Sequence, residues 1–285
     1  MELQDYPRGQ MLEGADYIEI RNADLQRGNT RFALFDFDGT ISLIRQGWQD
    51  VMIPMMVDIL ADLKTGESRE ELHAIVLEFV TRLTGKQTMY QMLALVDEVE
   101  KRGGTPKEAV DYKWDYLNLL WEQIKDRVEG IKDGRYSPEE MSVPGSLPFV
   151  AELKRRGLSL YVASGTDQQY VLDESGSLGL HPIFGENIFG ALDDYKAFSK
   201  AKLIAKLIED HNLHGSEFMV FGDGFVEIEN AKEVDGIAIG VATDEEKREG
   251  IDEWKRNRLI EAGADIIIPD FREWPRLLAY LMAEE

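Results

Sequence analysis

Phe32-Ala33-Leu34-Phe35-Asp36-Phe37-Asp38-Gly39-Thr40 is the stretch that decides the fold. Residues 32–37 form an apolar run broken only by Asp36, and Asp38-Gly39-Thr40 ends it. That is the pattern of a strand buried on both faces that opens into a loop. Two carboxylates at the exit of a buried strand need a reason, because burying charge is costly unless something nearby uses it.

One strand needs a sheet, and the rest of the sheet lies far downstream. After Pro144-Gly145 the sequence alternates between helical and strand patterns: helix over 147–156, strand over 158–163, helix over 199–210, and strands over 218–221, 237–241 and 266–268. Short β-rich runs alternating with amphipathic helices predict an α/β fold with a doubly wound parallel sheet covered on both faces. The strand at 32–35 joins that sheet, which makes the intervening residues an insertion.

The insertion reads as helical. Ser68 with Glu71, Thr88 with Gln91, and Thr105 with Glu108 have capping-box spacing, and Pro106 suits a first helical turn. Gly85 and Gly103-Gly104 supply stops. Leu72, Ile75, Val76, Phe79, Val80 and Leu83 repeat at helical spacing. The expected organisation is an N-terminal extension over 1–30, an α/β core over 31–44 and 144–285, and an all-α domain over 45–143. Within the extension only Tyr17, Ile18 and Ile20 suggest a short edge strand.

Composition narrows the partners. Thirty-two basic residues against 54 acidic ones give a net charge of −22, which repels nucleic acid and anionic membranes. A small phosphorylated metabolite stays compatible, because a bound cation and one or two lysines reverse the potential inside a cleft. Zero cysteines exclude disulfides, thiolate nucleophiles and cysteine zinc sites. With no signal-peptide pattern at the start and no apolar run long enough to span a bilayer, the expected location is the cytoplasm, as a monomer or homodimer. The acidic run Asp244-Glu245-Glu246 and the basic cluster Lys255, Arg256 and Arg258 read as solvated helix faces.

Parallel sheets bind ligands at the carboxyl ends of their strands. Four positions there carry chemistry: Asp36-Phe37-Asp38-Gly39-Thr40, Ser164-Gly165-Thr166, Lys200 in the first turn of a helix capped by Ser199, and Gly222-Asp223-Gly224 with Glu227. Lys196 and Lys202 compete with Lys200 for the lysine position. Lys200 is favoured because Leu203, Ile204, Leu207 and Ile208 define the buried face of its helix.

This ordered set resembles the four motifs of the haloacid dehalogenase (HAD) superfamily over about residues 31–271. The resemblance implies a Rossmann-like core with an inserted helical cap, and a hydrolase that transfers a phosphoryl group to an aspartate. Phosphoryl transfer needs in-line attack and neutralisation of charge on the equatorial oxygens, which a carboxylate nucleophile and a hard cation supply together. By the family pattern Asp36 attacks phosphorus, and Asp38 protonates the leaving oxygen and then activates water. Ser164 and the backbone amide of Gly165 hold a transferring oxygen, and Lys200 screens Asp36 and the phosphate. The resemblance also implies Mg2+, held by Asp36, the main-chain carbonyl of Asp38 and Asp223, with Glu227 in an outer metal role. Gly39, Thr40 and Arg45 are expected as further phosphate or substrate contacts, with a role in the turn alone left open for Gly39 and Thr40.

Substrate choice is expected in the cap, first at Arg45, Gln46 and Trp48 and at the turn over 84–88. A phosphatase acting on a small phosphorylated metabolite is the leading reading, and likeness to a bacterial HAD subgroup sometimes joined to sugar kinases points to sugar phosphates. A sugar phosphomutase shares every motif. Phosphonate hydrolysis would need a cap lysine, for which Lys86 is available, and dehalogenation has no use for an acid at Asp38. A non-catalytic binding protein on the same fold is disfavoured because all four motifs are chemically intact.

Overall fold

The computed structural model describes residues 4–192 and 199–284. Its strands are β1 (Gln10–Met11), β2 (Glu19–Ile20), β3 (Phe32–Phe35), β4 (Ser159–Asp167), β5 (Ile188–Ala191), β6 (Phe218–Gly222), β7 (Ile237–Val241) and β8 (Ile266–Ile268). Among the described residues they form one sheet in the order β1-β2-β8-β7-β6-β3-β4-β5. β3 pairs in parallel with both β4 and β6, and the remaining pairs from β5 to β8 are parallel too. The jump from β3 to β6 and from β3 to β4 places the exit of β3 at a topological switch point, where such sheets bind ligands.

Alternation along each strand explains why the sheet is covered on both sides. Ala33, Phe35, Met219 and Phe221 belong to one apolar cluster, whereas Phe32, Leu34, Phe218 and Val220 belong to the other. On the first face Phe35 stacks on Phe221 with centroids 4.6 Å apart, and Phe149 meets Phe221 edge-on at 5.3 Å. The covering helices are α5 (Ser146–Arg155), α6 (Gln168–Ser177), α7 (His181–Phe184), α8 (Lys200–His211), α9 (Phe225–Glu233), α10 (Glu253–Glu261) and α11 (Trp274–Leu281), which follow the four inserted helices α1 to α4.

Those inserted helices are α1 (Gln49–Ala61), α2 (Arg69–Leu83), α3 (Thr88–Lys101) and α4 (Ala109–Lys132). Ser68 and Glu71 close the expected capping box at α2. The other two boxes do not form. Helix α3 begins at Thr88 itself, with Gln87 in the cap position, and α4 begins only at Ala109, leaving Thr105 and Pro106 in the preceding loop. In both cases tertiary packing sets the start: Met89, Tyr112 and Tyr116 are the anchors that turn inward.

The edge strand suggested by Ile18 and Ile20 is β2, which runs antiparallel to β8 and carries β1 on its outer side. Glu19, between the two isoleucines, is fully buried and takes Arg256 of α10 in a two-pronged bond at 2.7 Å through each oxygen. Reading the cluster at 255–258 as a solvated face is therefore incorrect. Arg256 is 1% exposed, and Arg258 donates to the carbonyls of Thr81 and Arg82 at the end of α2 while lying against Phe225 and Trp254. The run 244–246 is not helical either: it lies in the turn that follows β7. No helix among the described residues is long and apolar enough to cross a membrane.

Candidate active site

The site forms around the exit of β3. The Asp36 amide donates to the Phe221 carbonyl at 2.9 Å, which continues the β3–β6 ladder by one residue, and the chain then turns sharply. The Phe37 carbonyl accepts from the amides of Ile41 and Ser42 at 2.9 and 2.8 Å. Gly39 stands at φ +74°, and a Cβ there would come within 2.3 Å of Asp223 Oδ2. Only glycine fits both demands. Thr40 is fully buried, and its Oγ1 accepts the Asp223 amide at 3.0 Å. It pins the β3 loop to the end of β6.

From β4, the Ser164 and Thr166 hydroxyls both donate to Asp38 Oδ2, at 3.1 and 2.9 Å. Asp38 Oδ1 is buried without a hydrogen bond, and its nearest cation, Arg45 Nε, is 4.0 Å away. Asp38 is thus held by one oxygen and presents the other.

Lys200 is the first residue of α8, whose Ser199 cap accepts the Lys202 amide at 3.1 Å. The cap turns Lys200 inward. Its Nζ lies 2.9 Å from Asp36 Oδ1 and bonds Glu227 Oε1. Lys202 is exposed on the outer side of the helix, and Lys196 lies outside the described residues. Glu227, in the first turn of α9, is fully buried; its second oxygen, Oε2, has no hydrogen-bond partner. The placement ties Glu227 to the lysine.

Asp223 leaves β6 and receives Lys255 of α10, whose Nζ is 2.9 Å from Asp223 Oδ2 and 2.6 Å from Glu245 Oε1. Burial works against the Lys255 charge, but the two carboxylates outweigh it and hold the ammonium protonated. Burial likewise pushes Asp36 up; Lys200 pulls it back, and the charges of Asp223 and Asp38 add to the rise, leaving its carboxyl at about 6. A raised carboxyl between two others marks a place with surplus negative charge.

That surplus bears on the metal. Among the described residues no three His, Cys, Asp or Glu side chains converge in metal-ligand geometry. The donors at the β3 and β6 ends are two carboxylates, Asp36 and Asp223, whose like charges act on each other. Magnesium suits such a set, because it takes oxygen ligands and keeps several positions for water and substrate oxygens. The residues fit the ion.

Arg45 does not offer a free guanidinium. It is buried and forks onto Glu174 of α6, with Nη2 to Oε1 at 2.7 Å and Nε to both oxygens at 3.0 and 3.1 Å. The inserted helices close over the cleft through the turn between α2 and α3. A Cβ on Gly165 would stand 2.9 Å from the Lys86 carbonyl, and one on Gly224 would stand 3.2 Å from Gly85 Cα. Lys113 of α4 adds a buried ion pair to Asp167 at 2.5 Å. Together these elements enclose a cavity of about 100 Å³ whose lining includes Asp36, Asp38, Lys200 and Asp223 below and Gln46, Trp48, Gln91 and Tyr116 above.

A sequence model described as haloacid dehalogenase-like hydrolase matches residues 30–235. This chain belongs to that family. Solved structures of HAD proteins and related phosphatases share its fold at low identity. A predicted phosphatase from Clostridium acetobutylicum is 20% identical, with a TM-score of 0.55 over 88% of this chain and 99% of that one. A predicted phosphoglycolate phosphatase from Haemophilus somnus 129PT is 15% identical, with a TM-score of 0.53 over 88% and 98%. A HAD family hydrolase from Deinococcus radiodurans R1, solved with phosphate and sodium, is 16% identical, with a TM-score of 0.52 over 89% and 97%. No curated protein matches the sequence.

Several members of this HAD site escaped the sequence reading. Thr166 stood in a quoted motif without a role. Glu174 lies one helical turn after buried Val171, a spacing that marks a carboxylate on an apolar face. Lys255 lies one turn before Leu259, which is buried against the sheet, and that spacing carried the only local signal for it.

Proposed function

We propose that this protein is a magnesium-dependent phosphatase that hydrolyses a small phosphorylated metabolite through a phosphoaspartate on Asp36. One observation carries the reading: Asp36 and Asp38 leave the same strand with different partners. Asp36 Oδ1 is charge-paired with Lys200, whereas Asp38 receives two hydroxyls on Oδ2 and keeps Oδ1 without a hydrogen bond. Asp36 faces a cation that screens it as it attacks, and Asp38 keeps one oxygen open toward the cleft.

In this account an Asp36 oxygen forms a bond to phosphorus as the bond to the substrate's ester oxygen breaks, and the Asp38 carboxyl gives its proton to that oxygen. Asp38, now ionised, takes a proton from water, which attacks phosphorus, releases phosphate and frees Asp36. Lys200 neutralises part of the charge on the transferring group, the Gly165 amide supplies a hydrogen bond to it, and the Ser164 hydroxyl does so once it turns from Asp38 to the bound phosphoryl group. Asp36, Asp223 and the Asp38 main-chain carbonyl would hold the magnesium ion. When bound, the ion neutralises equatorial phosphate charge and draws the phosphoryl group and Asp36 together.

Glu227 acts in this account by fixing Lys200, and Arg45 by fixing the closed face of the cleft through Glu174. The test is a panel of phosphorylated metabolites, sugar phosphates included, read for phosphate release with magnesium and with chelator. Release that depends on magnesium and disappears in Asp36→Asn supports a phosphatase. Interconversion of isomers without net release would instead identify a mutase.

A further inference from the structure

Lys255 and Glu245 lie outside the four strand-end motifs, yet both face the site. Lys255 comes from α10 and Glu245 from the turn after β7. Their side chains are 15% and 21% exposed. Lys255 Nζ is shared between Glu245 Oε1 and Asp223 Oδ2, and Glu245 also lines the cavity.

We infer that Lys255 and Glu245 are positioning residues that set the charge of Asp223 and so divide the site's affinity between a divalent cation and the phosphate group. The inference rests on the reading of Asp223 as a metal ligand.

The physical basis is a charge count. Asp36, Asp38, Asp223, Glu227 and Glu245 gather at the site, where Lys200 and Lys255 are the ammonium groups bonded to four of them and Arg45, 4.0 Å from Asp38, is already paired with Glu174. Lys200 is already shared by Asp36 and Glu227. Lys255 is therefore the cation bonded to Asp223, with Arg258 acting on it from farther away, and Glu245 moderates Lys255 in turn. A cation and a phosphate dianion respond to the same local field with opposite signs. Removing the ammonium makes the field more negative, which favours magnesium and opposes phosphate. Removing the Glu245 charge gives Asp223 a larger share of the ammonium and does the reverse. A purely mechanical brace would give no such inversion.

The experiment measures binding of magnesium alone, and then of inorganic phosphate at saturating magnesium, by calorimetry of the full chain. The proteins are wild type, Lys255→Met, Lys255→Gln and Glu245→Gln. Both Lys255 variants should bind magnesium about fivefold to tenfold more tightly and phosphate more weakly, while Glu245→Gln should bind magnesium more weakly and phosphate more tightly. If one Lys255 variant fails to fold, the other and Glu245→Gln still carry opposite expected signs. Shifts in the same direction, or changes within twofold in a wild type that binds magnesium normally, overturn this inference alone. A wild type that binds no magnesium overturns the metal reading and this inference with it.

Discussion

Lys200 reaches Asp36 Oδ1 at 2.9 Å and is bonded on its other side by Glu227, so the lysine at the proposed nucleophile is held by a carboxylate that has no exposure of its own. The pairing separates two roles for Glu227. If it only fixes the lysine, Glu227→Gln should lower kcat at least about tenfold and raise the magnesium concentration for half-maximal activity by no more than about tenfold, as the loss of one neighbouring charge does. A rise of about a hundredfold or more in that magnesium requirement would instead make Glu227 a metal ligand.

Gly165 lies directly under the Lys86 carbonyl, with a built Cβ only 2.9 Å from it. Gly165→Ala should push the α2–α3 turn away from the core. Because misplacement of about 1 Å is enough to cost large factors in rate, kcat/KM should fall about tenfold or more while the melting temperature changes little. An unchanged kcat/KM would show that this close approach does not serve the reaction.

The buried Glu19–Arg256 pair gives a pH-dependent stability. Burial alone would raise Glu19, but the Arg256 bonds, with those of Gly9 and Arg21, hold it at about 2 against an ordinary 4.5. A depressed carboxyl stabilises the fold above the unfolded value and loses that contribution as pH falls from about 4.5 toward 2. Glu19→Gln should cost about 3 kcal/mol at pH 7, and the gap from wild type should shrink by more than half at pH 3, both read by urea denaturation. A gap that stays constant across that range would mean the pair contributes packing and not charge.

Asp38 is proposed to protonate the leaving oxygen, a contribution worth roughly 10²-fold to 10⁴-fold that matters most for a basic alkoxide. Asp38→Ala should therefore slow the first step far more with an alkyl or sugar phosphate than with 4-nitrophenyl phosphate, whose leaving group needs no acid. Pre-steady-state comparison of the two reads it. Equal slowing would assign Asp38 to holding the turn.

The sheet and the strand-end motifs were legible because each is a local pattern: a two-sided apolar run with polar residues at its exit. Lys200 was legible for a similar reason, since Ser199 and the apolar face of α8 fix its direction. Lys255 and Glu245 were not, because they meet Asp223 only after α10 packs on β7 and the turn after β7 folds back. The same holds for Arg256, whose partner Glu19 comes from the opposite end of the chain. Charged residues close in sequence read as solvated by default, and only tertiary packing shows which are paired. The starts of α3 and α4 slipped past their capping spacings because buried anchors outweigh a cap contributing about 1 kcal/mol.

The central claim is that Asp36 becomes phosphorylated. The direct measurement is an acid quench of enzyme during turnover with magnesium and 4-nitrophenyl phosphate, followed by intact-protein and peptide mass spectrometry. Asp38→Ala serves as the trapping variant, because it also lacks the proposed base for the second step. The account predicts one added phosphoryl group on the peptide containing Asp36, strongest in Asp38→Ala and absent in Asp36→Asn. Phosphate release by the wild type, with no phosphoryl adduct on Asp36 in either active protein and with activity retained in Asp36→Asn, would contradict it.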